Sequence, residues 1–281
     1  MASSRRPPHC STTRRTGIAR ALSKLGIASR TVAGGWVIAG RVGVNGRVVR
    51  DPETPVVLER DRLTVDGAVV RAAAQRYLML NKPRGLVTTR RDERGRDTVY
   101  RCLDAGAQGL SPVGRLDKAS EGLLLFSNDN IWAQRLLDPD SHLPKVYHVQ
   151  IDRVADEAML AALRKDLPLA GGGVLRVSAA RRLRGGERHS WHENVLHEGR
   201  NRHIRRLLEA QDIGVLRLVR VAIGPLKLGE LAKGQSRALT AGELAQVEAA
   251  LQSGSVPRPE AKPPRLLRAA PPYERRGTRR R

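Results

Sequence analysis

Ser111-Pro112-Val113-Gly114-Arg115-Leu116-Asp117-Lys118-Ala119-Ser120-Glu121-Gly122-Leu123-Leu124-Leu125-Phe126-Ser127-Asn128-Asp129 holds the densest run of chemically informative residues in the chain. Its hydrophobicity places a strand up to Val113, then a polar loop, then a strongly apolar strand from Leu123. One acid, Asp117, sits in the loop between Arg115 and Lys118. A carboxylate tethered between two core strands is held more firmly than one on a free surface loop. Neighbouring cations favour its charged form. Two readings stay open at this level, an ordinary turn Asp and a reactive carboxylate. Asp117 with Glu121 also fits an acid/base pair acting on glycosidic bonds. The flanking cations argue against that, because one member of such a pair must hold its proton.

Working outward, apolar strands read at 77–80, 123–127, 145–151, 174–182, 193–197 and 216–223. Helices fit 130–137, 156–163, 201–210 and 241–251. The strands mostly alternate apolar with polar, which favours a largely antiparallel sheet with one buried face over a doubly wound parallel one. A smaller unit occupies 16–71. Residues 18–25 suit a short helix that Gly26 stops, and Ser29 is placed to cap a second helix to about Ala39. Asn45-Gly46 and Asp66-Gly67 then mark two hairpins. Residues 72–75 read as a linker, and 76–253 as a second domain. The class expected is α+β in both units.

The sequence has 281 residues and a formal charge of +23. Of its 51 cationic side chains eight are Lys and 43 are Arg. Such an excess points to a polyanionic partner, and the planar fork of Arg suits phosphates. No apolar run approaches the roughly 18 residues of a membrane span, which excludes an integral helical membrane protein. Cys10 and Cys102 make neither a disulfide framework nor a zinc ribbon, so the expected compartment is the reducing cytoplasm. Residues 1–50 carry ten Arg or Lys and no acid, as transit peptides do, but from Ile18 onward the segment reads as folded. Residues 1–15 read as a disordered basic head. Residues 254–281, with nine cations and two acids, read as a disordered Arg/Pro-rich tail. Neither buries enough apolar surface to offset its ordering entropy. Tails of this kind serve solubility or touch phosphates non-specifically.

Several chemistries are dismissed. No phosphate-binding GxxxxGK[ST] loop occurs, and Gly171-Gly172-Gly173 has no helix after it. His189, His192 and His197 invite a metal, but their spacing puts His192 on the opposite strand face from the other two. No metal is expected. Two further stretches carry chemistry. In Glu198-Gly199-Arg200-Asn201-Arg202-His203-Ile204-Arg205-Arg206-Leu207-Leu208-Glu209, a helical projection puts Arg202, Arg205, Arg206 and Glu209 opposite Ile204, Leu207 and Leu208. That stripe reads as a solvated face, with Arg205 near enough to its edge to turn toward a cleft. In Lys145-Val146-Tyr147, Lys145 and Tyr147 share one strand face, which suits either core packing or a stacking platform for a base.

The run from Gly114 to Asp129 closely resembles the signature of the RsuA-type pseudouridine synthases. Lys145-Val146-Tyr147 and the Glu198–Arg206 stretch are similar to that family's later motifs, in the same order. The unit at 16–71 resembles the S4-type RNA-binding domain that precedes the catalytic domain in these enzymes. The resemblance implies a mixed, mostly antiparallel catalytic sheet with flanking helices. It implies isomerisation of a uridine within RNA, without cofactor or metal: the C1′–N1 bond breaks, the uracil turns, and C5 joins C1′. On the same grounds Asp117 is the catalytic carboxylate, Arg205 its basic partner, Tyr147 the aromatic under the uracil, and Arg115 a holder of the flipped nucleotide. RNA contacts are expected from Arg20, Lys24, Arg30, Arg41, Asn45 and Arg47 in the small unit, and from Lys145, Arg200, Arg202 and Arg206 in the large one. The partner implied is ribosomal RNA or a ribosomal-subunit precursor, met by a monomer with no membrane contact. The motif near Arg205 leans toward large-subunit enzymes. Gly34 and Gly35 depart from the family's better helix formers, and Asn130 and Leu207-Leu208 are further departures. The competing reading is a non-catalytic RNA-binding or ribosome-assembly factor.

Overall fold

Asn45 and Gly46 have φ of 51° and 83°, and Asp66 and Gly67 have φ of 49° and 81°. Two-residue hairpin turns need such left-handed pairs, and Asn, Asp and Gly adopt them at least cost. The computed structural model describes residues 15–253 apart from 91, 108 and 169–172. The expected disordered head (save Arg15) and tail, together with Gly171 and Gly172, therefore lie outside the described residues.

The two turns shape a four-stranded sheet from β1 (Val42–Val44), β2 (Arg47–Val49), β3 (Leu63–Val65) and β4 (Ala68–Val69), in the order β2-β1-β3-β4. Helices α1 (Ile18–Lys24) and α2 (Arg30–Ile38) close over it, burying Ile18, Leu22, Ala33 and Val37 against Val42 and Leu63. The Ser29 hydroxyl accepts from the Val32 amide at 3.3 Å, capping α2 where the sequence places it. A Cβ at Gly34 or Gly35 would meet nothing within 4 Å. These glycines serve no packing purpose, and each costs α2 about 0.5–1 kcal/mol against Ala.

The larger unit is built on nine strands: β5 (Tyr77–Lys82), β6 (Ser111–Val113), β7 (Glu121–Ser127), β8 (Lys145–Ile151), β9 (Ala179–Gly185), β10 (Ser190–Leu196), β11 (Val215–Ile223), β12 (Leu226–Lys227) and β13 (Ser236–Ala238). They lie in the order β9-β10-β8-β11-β7-β5-β13, with β12 against β11 and β6 against β7. The one parallel pairing joins β11 to β7; the others are antiparallel. The sheet is thus mixed and mostly antiparallel, and the class is α+β. One face packs Leu124, Phe126, Val149 and Ile151 with α4 (Glu157–Leu163) and α5 (His203–Glu209). The other packs Leu123 and Leu125 under α3 (Asn130–Leu137) and α6 (Ala241–Ser253). Strand β7 is buried along its whole length, and its middle, Leu123 to Phe126, reads as an unbroken apolar run.

Three sequence expectations are corrected. The strand expected at 174–182 is two: Val174–Leu175 pairs with Leu167–Pro168, and the chain rejoins the large sheet at Ala179. Between them Val177 turns into the core and its amide donates to the Leu163 carbonyl, so the ladder breaks. The strand expected at 193–197 begins at Ser190, whose buried hydroxyl donates to the Arg153 carbonyl and accepts from the Ala155 amide. The helix expected at 201–210 starts only at His203, because Arg202 takes a left-handed φ of 50°.

The linker at 72–75 is clamped. Asn128 donates to the Ala74 carbonyl at 2.9 Å and accepts from the Arg76 amide at 2.8 Å. Asn130 donates to the carbonyl and hydroxyl oxygens of Ser23 in α1, at 2.8 and 3.1 Å. The side chain that departs from the family pattern therefore ties the two units together.

Candidate active site

The loop between β6 and β7 has no regular structure, yet none of its carbonyl groups from Leu116 to Ser120 is idle. Leu116 accepts from the Thr88 hydroxyl at 2.7 Å, and Lys118 from the Gly85 amide at 2.8 Å. Ala119 accepts from the Arg205 guanidinium at 3.2 Å. Asp117 and Ser120 both accept from the Lys82 ammonium, at 3.2 and 2.8 Å. Backbone held at five successive carbonyls fixes the direction of the Asp117 side chain without using its carboxylate.

Asp117 lines a cavity of about 620 Å³ together with Arg115, Lys145, Tyr147, Arg200, Arg202 and Arg220. Tyr147 is 9% exposed, with its ring in the wall next to Leu196, Ile204 and Leu218. Lys145 shares its strand face and donates to the His197 carbonyl at 3.2 Å. Burial pulls the Lys145 ammonium below its ordinary pKa, and the charge of Arg220 adds to that. On the β8 ladder Tyr147 sits directly opposite Arg220 of β11 and Asn194 of β10.

Arg205 is not on a solvated stripe. It is buried, while Arg206 and Glu209 on the same helix are exposed. Arg205 lies beside Leu208 at the edge of the apolar stripe, and its guanidinium reaches the Asp117 loop at the Ala119 carbonyl. Burial lowers the Arg205 pKa, Arg202 lowers it further, and the charge of Asp117 opposes both. The partnership of Arg205 with Asp117 thus runs through the Ala119 carbonyl and the local field; no ion pair joins the two side chains among the described residues.

Glu121 stands elsewhere. It is 2% exposed, bound by Arg217 at 3.0 and 3.1 Å and by Lys233 at 2.6 Å. Burial alone raises its pKa, but those hydrogen bonds outweigh burial and hold it below the usual value. It is absent from the cavity wall, so it makes no acid/base pair with Asp117. Among the histidines His192 is buried, whereas His197 is exposed with Nδ1 against the His142 carbonyl at 2.8 Å.

Of the residues expected to meet RNA, Lys145, Arg200 and Arg202 join the cavity and Arg206 does not. Arg20, Lys24 and Arg30 line a second cavity of about 560 Å³ between the two units. Arg47 is exposed on β2 outside both. Arg41 is engaged by Asp66 at 2.8 and 2.5 Å, and Asn45 by Asp61 and the Arg62 amide. These last two side chains serve the small unit's own turns.

Sequence reasoning missed Lys82, Arg220 and Gly122. Arg220 is a charge at a core-facing position between Leu218 and Ala222, a pattern that flags a special role. A Cβ at Gly122, where φ is +100°, would overlap the Arg220 carbonyl oxygen. Only glycine allows the parallel pairing that brings β11 beside the loop.

A model of RNA pseudouridylate synthases matches residues 76–210, and one of the S4 domain matches 17–63. A protein named "Uncharacterized RNA pseudouridine synthase" from Aquifex aeolicus is 39% identical over 238 residues, spanning 84% of this chain and 95% of that one. The chain belongs to the RNA pseudouridine synthase family. The synthase is also 31% identical to the "Ribosomal large subunit pseudouridine synthase B" of Bacillus subtilis over 236 residues, 84% of this chain and 96% of the other. Among solved structures, a pseudouridylate synthase superposes with a TM-score of 0.59 at 26% identity, covering 83% of this synthase and 99% of its own chain. The catalytic match spans the Asp117 loop, Tyr147 and Arg205 together.

Proposed function

We propose that this synthase converts a uridine of large-subunit ribosomal RNA to pseudouridine, with Asp117 as the reacting carboxylate. The observation that carries the reading is the loop whose five carbonyls are all bonded, aiming one carboxylate into a cavity walled by Tyr147 and several cations. A relative of matching length bears the large-subunit name. Asp117 attacks C1′ or takes a proton from the sugar, and the C1′–N1 bond breaks. The uracil, stacked on Tyr147, turns within the cavity; C5 bonds to C1′ as the Asp117 carboxylate leaves C1′ or returns the sugar's proton, C5 gives up its proton, and N1 gains one. Extruding the nucleotide costs a few kcal/mol, recovered by stacking and by phosphate contacts. Arg115, Arg200 and Arg202 are placed to make those contacts. Arg20, Lys24 and Arg30 extend the basic surface to the small unit. The enzyme acts as a monomer in the cytoplasm, where its substrate is made, and needs no metal or cofactor.

The experiment is incubation of the protein with ribosomal RNA lacking its modification, followed by mapping of pseudouridine and mass analysis of the product. A new pseudouridine in large-subunit RNA at unchanged mass is expected. Released uracil would mark a hydrolase instead. Tight binding with neither product would leave a non-catalytic assembly factor.

A further inference from the structure

The sheet carries a second row of side chains that the uridine pocket does not use. Arg184 of β9, Trp191 of β10, Gln150 of β8 and Arg217 of β11 are successive cross-strand neighbours. Gln150 and Arg217 stand three residues from Tyr147 and Arg220 on their strands, so the row occupies the opposite face from the pocket. The Trp191 indole has guanidinium carbons at 5.5 Å (Arg184) and 5.4 Å (Arg217). The two cations are held differently. Arg217 is fixed by Glu121, whereas exposed Arg184 makes no hydrogen bond or ion pair among the described residues beyond its ring contact. Beside the indole the β9–β10 turn borders an open surface depression of about 520 Å³, lined by Arg184, Arg188, His189, Gln150 and Trp191.

We infer that this row is a second RNA contact, which stacks an unpaired base on Trp191 and sets the adjoining phosphate between Arg184 and Arg188. The inference rests on RNA being the substrate and adds a site outside the catalytic pocket. A cation held over an indole by that contact alone, as Arg184 is, is readily exchanged for a base, because every base has a π-face and the released guanidinium finds a phosphate. Arg184 is the one free to swing; Arg217, locked to Glu121, supports the far end of the platform. An acidic peptide would satisfy the arginines but leave the indole uncovered, so single-stranded RNA is the better complement. Because the row lies behind the pocket, the nucleotide it holds belongs to a segment that passes round the β9–β10 edge.

The test uses the full chain carrying Trp36→Phe, which leaves core Trp132 and Trp191 as fluorophores, titrated with single-stranded oligoadenylate. Quenching of Trp191 emission is expected, and it disappears when Trp191→Phe is added. Arg184→Glu with Arg188→Glu shifts the quenching midpoint to oligonucleotide concentrations higher by about five-fold or more. Uridine isomerisation of a minimal stem-loop stays at the level of the unsubstituted chain. Quenching that survives Trp191→Phe, or a midpoint indifferent to the two charge reversals, overturns the inference. Quenching by polyglutamate but not by oligoadenylate overturns it in favour of a protein partner. Since the readout is binding, absent isomerisation with intact quenching sinks only the proposed reaction, and the reverse sinks only this site.

Discussion

The Lys82 ammonium lies 2.8 Å from the Ser120 carbonyl oxygen and 3.2 Å from that of Asp117, so one buried cation closes both ends of the turn that carries the acid. Its third contact is the Pro83 carbonyl at 3.1 Å, and the residue is 0% exposed. Burial pulls its pKa down to about 8, against the opposing pull of Glu121 and Asp117. A charge is expensive to bury, and here carbonyl dipoles compensate it in place of an ion pair. Lys82→Met keeps the apolar stem and removes the donor, leaving the Asp117 and Ser120 carbonyls short of one hydrogen bond each. Stability should fall by about 1–3 kcal/mol. The isomerisation rate should fall by roughly ten- to a hundred-fold, because small misplacements of a reacting group are costly. RNA affinity should hold. Melting curves and single-turnover kinetics check this; an unchanged rate would show that the loop keeps its aim without the lysine.

Asp117→Asn separates chemistry from architecture. The loop is held through backbone carbonyls, so the amide disturbs none of those bonds and the melting curve should stay in place. An amide neither attacks C1′ nor accepts a proton as a carboxylate does. Loss of turnover by roughly a thousand-fold or more is expected if the carboxylate reacts as proposed, with RNA affinity within a few-fold. A fully active variant would remove Asp117 from the reaction.

Local chemistry made most of this fold legible. The turn pairs Asn45-Gly46 and Asp66-Gly67, the Ser29 cap and the alternation of β8 each signal themselves within a few residues. The bounds of β8 and of α3 match the sequence reading. The apolar run from Leu123 to Phe126 in the middle of β7 was legible as a core strand. What stayed hidden depends on distant partners. Glu121 opens β7 because Arg217 and Lys233, nearly a hundred or more residues later, neutralise it. Val177 leaves its strand because Leu163 takes its amide. The helix α5 begins two residues late because Arg202 takes a left-handed turn that no local propensity favours. At the site, the motifs named Arg115, Asp117, Lys145 and Tyr147 of the pocket wall but not Arg220, while Lys82, which touches only backbone, left no pattern to read.

Tyr147 is both core residue and pocket wall, and two substitutions separate the roles. Tyr147→Phe keeps the ring and should retain stacking, with turnover close to the parent. Tyr147→Leu fills much of the volume but has no π-face. Base stacking on an aromatic is worth about 1–3 kcal/mol, so kcat/KM should drop by roughly ten- to a hundred-fold while the fold persists. Equal activity for all three proteins would reduce Tyr147 to packing alone.

Two polar side chains on β10 point into the core with no compensation. His192 and Asn194 are both 0% exposed, and neither ring nitrogen of His192 nor either amide atom of Asn194 finds a partner among the described residues. Burial pushes the His192 pKa down to about 4, below the ordinary 6.5. As pH falls the unfolded chain therefore binds this proton before the folded one does. Stability is full above about 6.5, declines as pH drops toward 4, and the loss is complete below that. Burial lowers the His203 pKa as well and adds to the same slope. His192→Leu removes the unpartnered imidazole, so at neutral pH it should stabilise the fold by about 1–3 kcal/mol. It should also flatten the acid slope without abolishing it, making the advantage over the parent larger at pH 5 than at pH 7. Urea unfolding at the two pH values measures both effects. A variant that loses stability at neutral pH would mean that the imidazole has a partner in solution, and equal slopes would mean that His192 takes up its proton as readily folded as unfolded.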